Sequence, residues 1–343
     1  MLDAGAYAYA KACGIIGKSF LGKRVSSLAG LHNLSELDRL VFREHQRELP
    51  VRELLSDLEY RIIARAVRQI LVITSSFAIT PELLVRMIRS YEYSDLKICI
   101  QNIAAGKKEP PNICDIGRFA TVSFDAFPDI AAMLNNTEFA PFLSEDLKSI
   151  QAGSTDTVAV ETKLDCLYYQ GLINSLSQLS AEDRLITQRL LAEEISLRNC
   201  VWALRLRTYY HKGAEETGKY LMDIKLKGKG GRGFSLAADA FESLDFPLDL
   251  RNSWDGWKWE KLLNLEQPHA HWAADPRHFQ NAASGYLYRL ALRSFHRLPL
   301  STSAIFCFIK LKQFEEDLLT SLAEGLALGM DSTNIFRLLE VSS

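Results

Sequence analysis

TPELLVRMIRSYEYSDLKICIQNI, Thr80–Ile103, is the stretch that decides the fold class. Leu83, Leu84, Met87, Ile88 and Tyr91 form one apolar stripe, which resumes at Leu96, Cys99, Ile100 and Ile103. Steps of three and four residues stack these side chains on one face of an α-helix. Pro81-Glu82 suits a helix start, because proline has no N–H to leave unpaired in the first turn, and Thr80 is available as the N-cap.

The same period extends outward in both directions. Leu58, Ile62, Ile63, Val67, Ile70 and Leu71 form a helical stripe upstream. Ser180 with Asp183 reads as a capping-box-like start, with Asp in place of the preferred Glu or Gln, to a helix through Leu190, Leu197, Val201 and Leu204. Ile305, Phe308 and Ile309 lead into Leu318, Leu319, Leu322 and Leu326, and Asp331 or Ser332 caps a short last helix through Ile335 and Leu339. Tyr220–Lys227 is the one modest candidate for a strand. The fold class is all-α.

At 343 residues the chain exceeds the roughly 250–300 at which one core stops growing, so subdivision is expected. Gly106–Pro111 (GKKEPP) cannot continue a helix, and Gly228–Gly233 (GKGGRG) reads as a flexible linker. They cut the chain into three helical modules, 1–111, 112–227 and 228–343. Each holds a long helix with a polar seed: Tyr93-Ser94-Asp95-Leu96-Lys97, then Glu194-Ile195-Ser196-Leu197-Arg198-Asn199, then Phe314-Glu315-Glu316-Asp317-Leu318. Aligning Asp95, Asn199 and Asp317 gives separations of 104 and 118 residues. Periods that long point to triplicated domains rather than to a solenoid of about 20–50-residue repeats.

Formal net charge is −2, so bulk charge points to neither nucleic acid nor a membrane surface. Locally, Arg277, Arg289, Arg293, Arg297, Lys310 and Lys312 form a basic run without an acid, and Arg198–Arg232 holds nine basic against three acidic residues. A solvated face is the first reading of such runs, an acidic protein partner the second and nucleic acid the third. Six cysteines without a C-x-x-C pair read as buried thiols in a reducing cytoplasm. The start of the chain lacks the basic charge of a signal peptide, and no apolar run nears the ~18 residues of a membrane span.

Gly228–Gly233 formally matches G-x-G-x-x-G, but no parallel-sheet series surrounds it, so a linker is preferred over a dinucleotide site and no cofactor is expected. His269, His271 and His278 around Asp275 lack metal-site spacing and read as surface or locally bonded histidines. Trp254, Trp257 and Trp259 are assigned to loop packing ahead of an interface. No Ser/His/Asp or Cys/His constellation assembles, and catalysis is not expected.

Together these landmarks resemble the C-subunit family of the archaeal and bacterial V-type (A-type) ATPases, whose eukaryotic counterpart is the d subunit. The resemblance rests on Tyr7-Ala8-Tyr9-Ala10, Asp95-Leu96-Lys97, Leu164-Asp165 through Tyr168-Tyr169, and Leu197-Arg198-Asn199 through Leu204-Arg205. It ends in Pro299–Phe308, Lys312, Glu315 or Glu316 and Gly325…Gly329. The sequence departs from the family at Ser196, where an acid is usual, at Asp317-Leu318-Leu319, and near Gln280. The resemblance implies three helical modules in a pseudo-threefold funnel, on the cytoplasmic face of the membrane and without a span of its own. Such a funnel receives the D and F proteins of the central stalk, caps the membrane rotor ring of proteolipids and leaves ATP chemistry to other chains. Arg277, Arg289, Arg293 and Arg297 are then candidate docking residues for an acidic partner. The other reading is a helical scaffold or regulatory protein outside any ATPase.

Overall fold

The apolar stripes fold as helices, and the longest of these organise the core. The computed structural model describes residues 2–43, 49–227, 233–266 and 271–339. The helices run α1 Leu2–Ile16, α2 Leu34–Phe42, α3 Val51–Thr74, α4 Glu82–Ala104, α5 Ile130–Met133, α6 Phe139–Phe142 and α7 Leu147–Gln151. There follow α8 Thr157–Ser175, α9 Ala181–Tyr209, α10 Ala214–Gly218, α11 Ala238–Ser243, α12 Pro276–Arg297, α13 Thr302–Ala327 and α14 Ser332–Leu339. Strands β1 Lys225–Lys227 and β2 Gly233–Ser235 pair antiparallel, with Leu226 opposite Phe234. The fold is all-α, as the periodicity requires.

All nine stripe residues of the deciding segment are buried in α4. Pro81, not Thr80, occupies its cap position and contributes no side-chain bond. At α9 the expected box forms in altered shape. Asp183 N–H donates to Ser180 Oγ at 3.1 Å, and the Ser180 hydroxyl donates to Asp183 Oδ2 at 3.0 Å. The second Asp183 oxygen accepts the N–H of Ser303 at 2.8 Å, so one shortened acid serves two helix starts. Asp331 caps α14 through the Asn334 N–H.

The chain forms two compact units. The first comprises residues 1–80, 180–190 and 246–343, and the second 81–179 and 191–245. The first is centred on α13, which packs against α1, α2, α3, α12 and α14. Every residue from Ser303 to Lys312 is buried, so this helix is covered on all sides over nearly three turns. Leu319, Leu322 and Leu326 continue its stripe into a cluster with Leu54, Leu58 and Ile62 of α3, Leu34 and Leu37 of α2, and Ile335 and Phe336 of α14. Trp254, Trp257 and Trp259 are buried in the same unit. Trp254 stacks edge-on with Phe246 and Trp257, and Trp257 and Trp259 lie against Phe279 and Tyr286 of α12. The tryptophans are packing residues that fix the 246–263 segment to α12.

In the second unit α4 packs against α7 and α8. Tyr93 meets Tyr168 edge-to-face at 5.3 Å and Phe139 at 4.8 Å. The β1–β2 ladder belongs to this unit as well. Residues 228–232 lie outside the described residues. A strand rather than a helix follows the glycine run, which is incompatible with a dinucleotide fingerprint opening a βαβ unit.

Candidate functional site

The polar seeds hold buried hydrogen bonds between long helices and other segments of the chain. In α4, Glu92 accepts the N–H groups of Thr121 and Val122, the latter at 2.7 Å, and the Thr121 hydroxyl at 2.9 Å. One turn on, Asp95 accepts the Cys114 N–H at 2.9 Å. Burial, and to a smaller degree the charge of Glu92, pushes the Asp95 carboxyl up to about 7, against the pull of the Cys114 hydrogen bond. In α9, Asn199 accepts the Met222 N–H at 2.8 Å and donates to the Met222 carbonyl at 3.1 Å, closing both backbone groups of one residue. The Ser196 hydroxyl donates to Asp239 of α11 at 2.5 Å.

In α13 the corresponding pair is Lys312 and Glu315, each 2 % exposed and ion-paired with the other. Glu315 accepts the Phe20 N–H at 2.8 Å and lies 3.9 Å from Arg65. Burial lowers the Lys312 pKa, while the Glu315 charge opposes the shift. Asp317, the residue aligned from sequence, is exposed and holds no corresponding buried position.

Three of the family landmarks also converge. Asp165 of α8 accepts the Lys97 ammonium at 2.7 Å and lies 3.6 Å from Arg198 of α9, while Tyr169 donates to Glu194 at 2.8 Å. Much of the basic excess at 198–232 has internal partners: besides Arg198, Arg207 donates to the Ser243 carbonyl, and Lys212 and Lys219 pair with Glu216 and Glu215.

The basic run at 277–312 divides by burial. Lys310 and Lys312 are 6 % and 2 % exposed and leave the expected charged face, because α13 is the central helix of its unit. Arg277, Arg289, Arg293 and Arg297 are exposed on α12. Arg289, Arg293 and Arg297 follow one another at four-residue steps, which sets them about 6 Å apart along one side of the helix. Arg277 stands about 18 Å further back along the axis, beside Asp275 at 3.9 Å, and is not part of that row.

Beside the row lies a groove of about 450 Å³ between the first turns of α9 and the last turns of α12. Leu185, Ile186 and Arg189 line it from α9, and Leu290, Arg293, Ser294 and Arg297 from α12. The α9 contribution was not legible in the sequence, since more than 90 residues separate the two walls. Leu185 marks this wall only in the folded chain, where the leucine is 69 % exposed.

His271 is exposed and His278 half-buried, while His269 lies outside the described residues. Among the described residues no His, Cys, Asp and Glu side chains gather into a group able to hold a metal ion. All six cysteines are free thiols; Cys99 and Cys307 are pushed up to about 12, chiefly by burial.

An all-α protein whose long helices are fastened to their loops by buried polar side chains is the class that fold and clamps define. Residues 42–337 match the family described as ATP synthase (C/AC39) subunit, and the chain belongs to that family of V/A-type ATPase subunits. All the landmarks except Tyr7–Ala10 lie inside the matched stretch. The chain is also 27 % identical over 334 residues to an uncharacterized protein of Treponema pallidum (strain Nichols), covering 96 % of this chain and 94 % of that one. Among the described residues no helix is long and apolar enough to cross a membrane.

Proposed function

We propose that this chain is a non-catalytic adaptor in the central stalk of a rotary V/A-type ATPase, coupling the D and F stalk proteins to the membrane rotor ring on the cytoplasmic face. Membership in the C/AC39 family across residues 42–337 is the observation that carries this reading. Transmitting torque calls for stiffness, and the clamps at Asp95, Asn199 and Glu315 supply it by tying helix bodies to loops with buried hydrogen bonds. The division into three related modules, 1–111, 112–227 and 228–343, arranged as a pseudo-threefold funnel, belongs to the same reading and rests on the family membership. Arg289, Arg293 and Arg297, with Arg277 apart from them, serve docking and orientation toward an acidic partner rather than raw affinity. The chain has no active site of its own, and ATP chemistry and ion translocation, of protons or sodium, belong to other chains of the complex.

The test is gentle solubilisation of membranes followed by affinity purification of the tagged chain. Recovery of A-, B-, D- and F-type subunits and of the ring proteolipid is expected, with recovery reduced for Arg289→Glu/Arg293→Glu. Purification free of every ATPase component overturns the adaptor reading and favours a scaffold outside the ATPase.

A further inference from the structure

We propose that the groove between α9 and α12 is a socket for one acidic amphipathic helix of a partner protein, a deepening of the docking role proposed above that rests on it. Leu185 and Ile186 on one wall and Leu290 on the other supply apolar surface, while Arg293 and Arg297 supply the charge, and no acidic residue lines the space. Leu185 is 69 % exposed, so a leucine stands in water at the mouth of a concave basic slot. Among the described residues Arg289, Arg293 and Arg297 form no ion pair, which leaves their charge available to an incoming carboxylate.

Spacing fixes the shape of the occupant. Arginines at steps of about 6 Å match carboxylates placed every fourth residue on a helix lying alongside α12, because both ladders have the same rise. The neighbouring positions of such a helix, one turn apart, would set leucine-sized side chains onto Leu185, Ile186 and Leu290. This is recognition of a helix in a groove, with anchors at i and i+4 and charges at the edge. A concave slot of about 450 Å³ receives a rod better than a flat bilayer, so the geometry favours a protein helix over an anionic lipid surface.

The full-length protein is titrated at 0.15 M salt into a fluorescein-labelled 16-residue helical peptide with glutamates every fourth residue and leucines on the adjoining stripe. Saturable binding is expected. A loss of about tenfold is expected for Leu185→Gln, and a larger one for Arg293→Glu/Arg297→Glu. The same peptide with its leucines replaced by glutamine should lose affinity in parallel with Leu185→Gln. All of these substitutions are at exposed positions, and unchanged thermal melting verifies the fold. Binding indifferent to Leu185→Gln and to peptide leucines would reduce the site to general charge attraction and overturn the proposal. So would binding to phosphatidylglycerol vesicles in place of the peptide. If the peptide fails to bind while the tagged chain still co-purifies with stalk and ring components, the socket is refuted and the adaptor reading stands. If co-purification fails, the adaptor reading falls whatever the peptide does.

Discussion

Asp95→Asn should convert a pH-sensitive clamp into an insensitive one. The Asp95 side chain is 7 % exposed and holds the Cys114 N–H, with Glu92 one turn away on the same helix. Burial first, and Glu92 second, raise its carboxyl to about 7 from an ordinary 3.8. The folded protein therefore binds this proton more tightly than the unfolded chain does. The stabilisation is fully present below about pH 3.8 and is lost as pH rises through about 7. An interval of about three pH units, at 1.36 kcal/mol per unit, bounds the loss at about 4 kcal/mol by pH 8.5. For a unit of this size, each kcal/mol moves the midpoint by about 2–4 °C. Asparagine keeps an oxygen for the Cys114 N–H but carries no titrating proton. Calorimetric scans of wild type and Asp95→Asn between pH 5 and 8.5 should thus converge or favour wild type at pH 5. By pH 8.5 they should diverge in favour of Asn by up to ~10 °C. Parallel curves across that range would show that Asp95 is not held neutral by its surroundings, and the account of the clamp would be wrong.

Two other clamps give sharper local readouts. Asn199→Ala strands the buried N–H of Met222, at about 1–3 kcal/mol, while the Met222 carbonyl keeps the Ile224 N–H, and it should speed amide exchange at Met222 by at least tenfold; unchanged exchange there would show the Asn199 bond to be idle. Lys312→Met leaves Glu315 charged in the core, with Arg65 and the Phe20 N–H as remaining partners, and should cost about 3 kcal/mol in denaturant titrations. Lys312→Met/Glu315→Gln should recover most of that loss, and a double variant as weak as the single one would contradict the explanation.

Helix identity was written in the local order of residues, because a stripe at steps of three and four needs no knowledge of the partner it will meet. The same holds for the starts at Ser180 and Asp331, whose donors and acceptors lie within three residues. Legibility failed where burial depended on distant chain. Lys310 and Lys312 look like surface charge in sequence, yet the central position of α13 takes them into the core. Asp317 and Glu315 are equally plausible seeds two residues apart, and only contact with Phe20, almost 300 residues earlier, selects Glu315. That Lys225–Lys227 pairs with Gly233–Ser235 is likewise not written in the composition of the glycine run.

The nine-residue stripe of Thr80–Ile103, the all-α class and the order of family landmarks were determined by sequence alone. Periodicity and spacing survive as one-dimensional information. The arginine row was half determined, since four-residue spacing guarantees a common side but not what faces it. Tertiary structure decided that Leu185 and Ile186 stand across from Leu290 and Arg293, and that Asp239 accepts the Ser196 hydroxyl. The reason is physical: hydrogen bonds and apolar burial are satisfied by any chain segment that arrives in position, and only the packed fold determines which segment does.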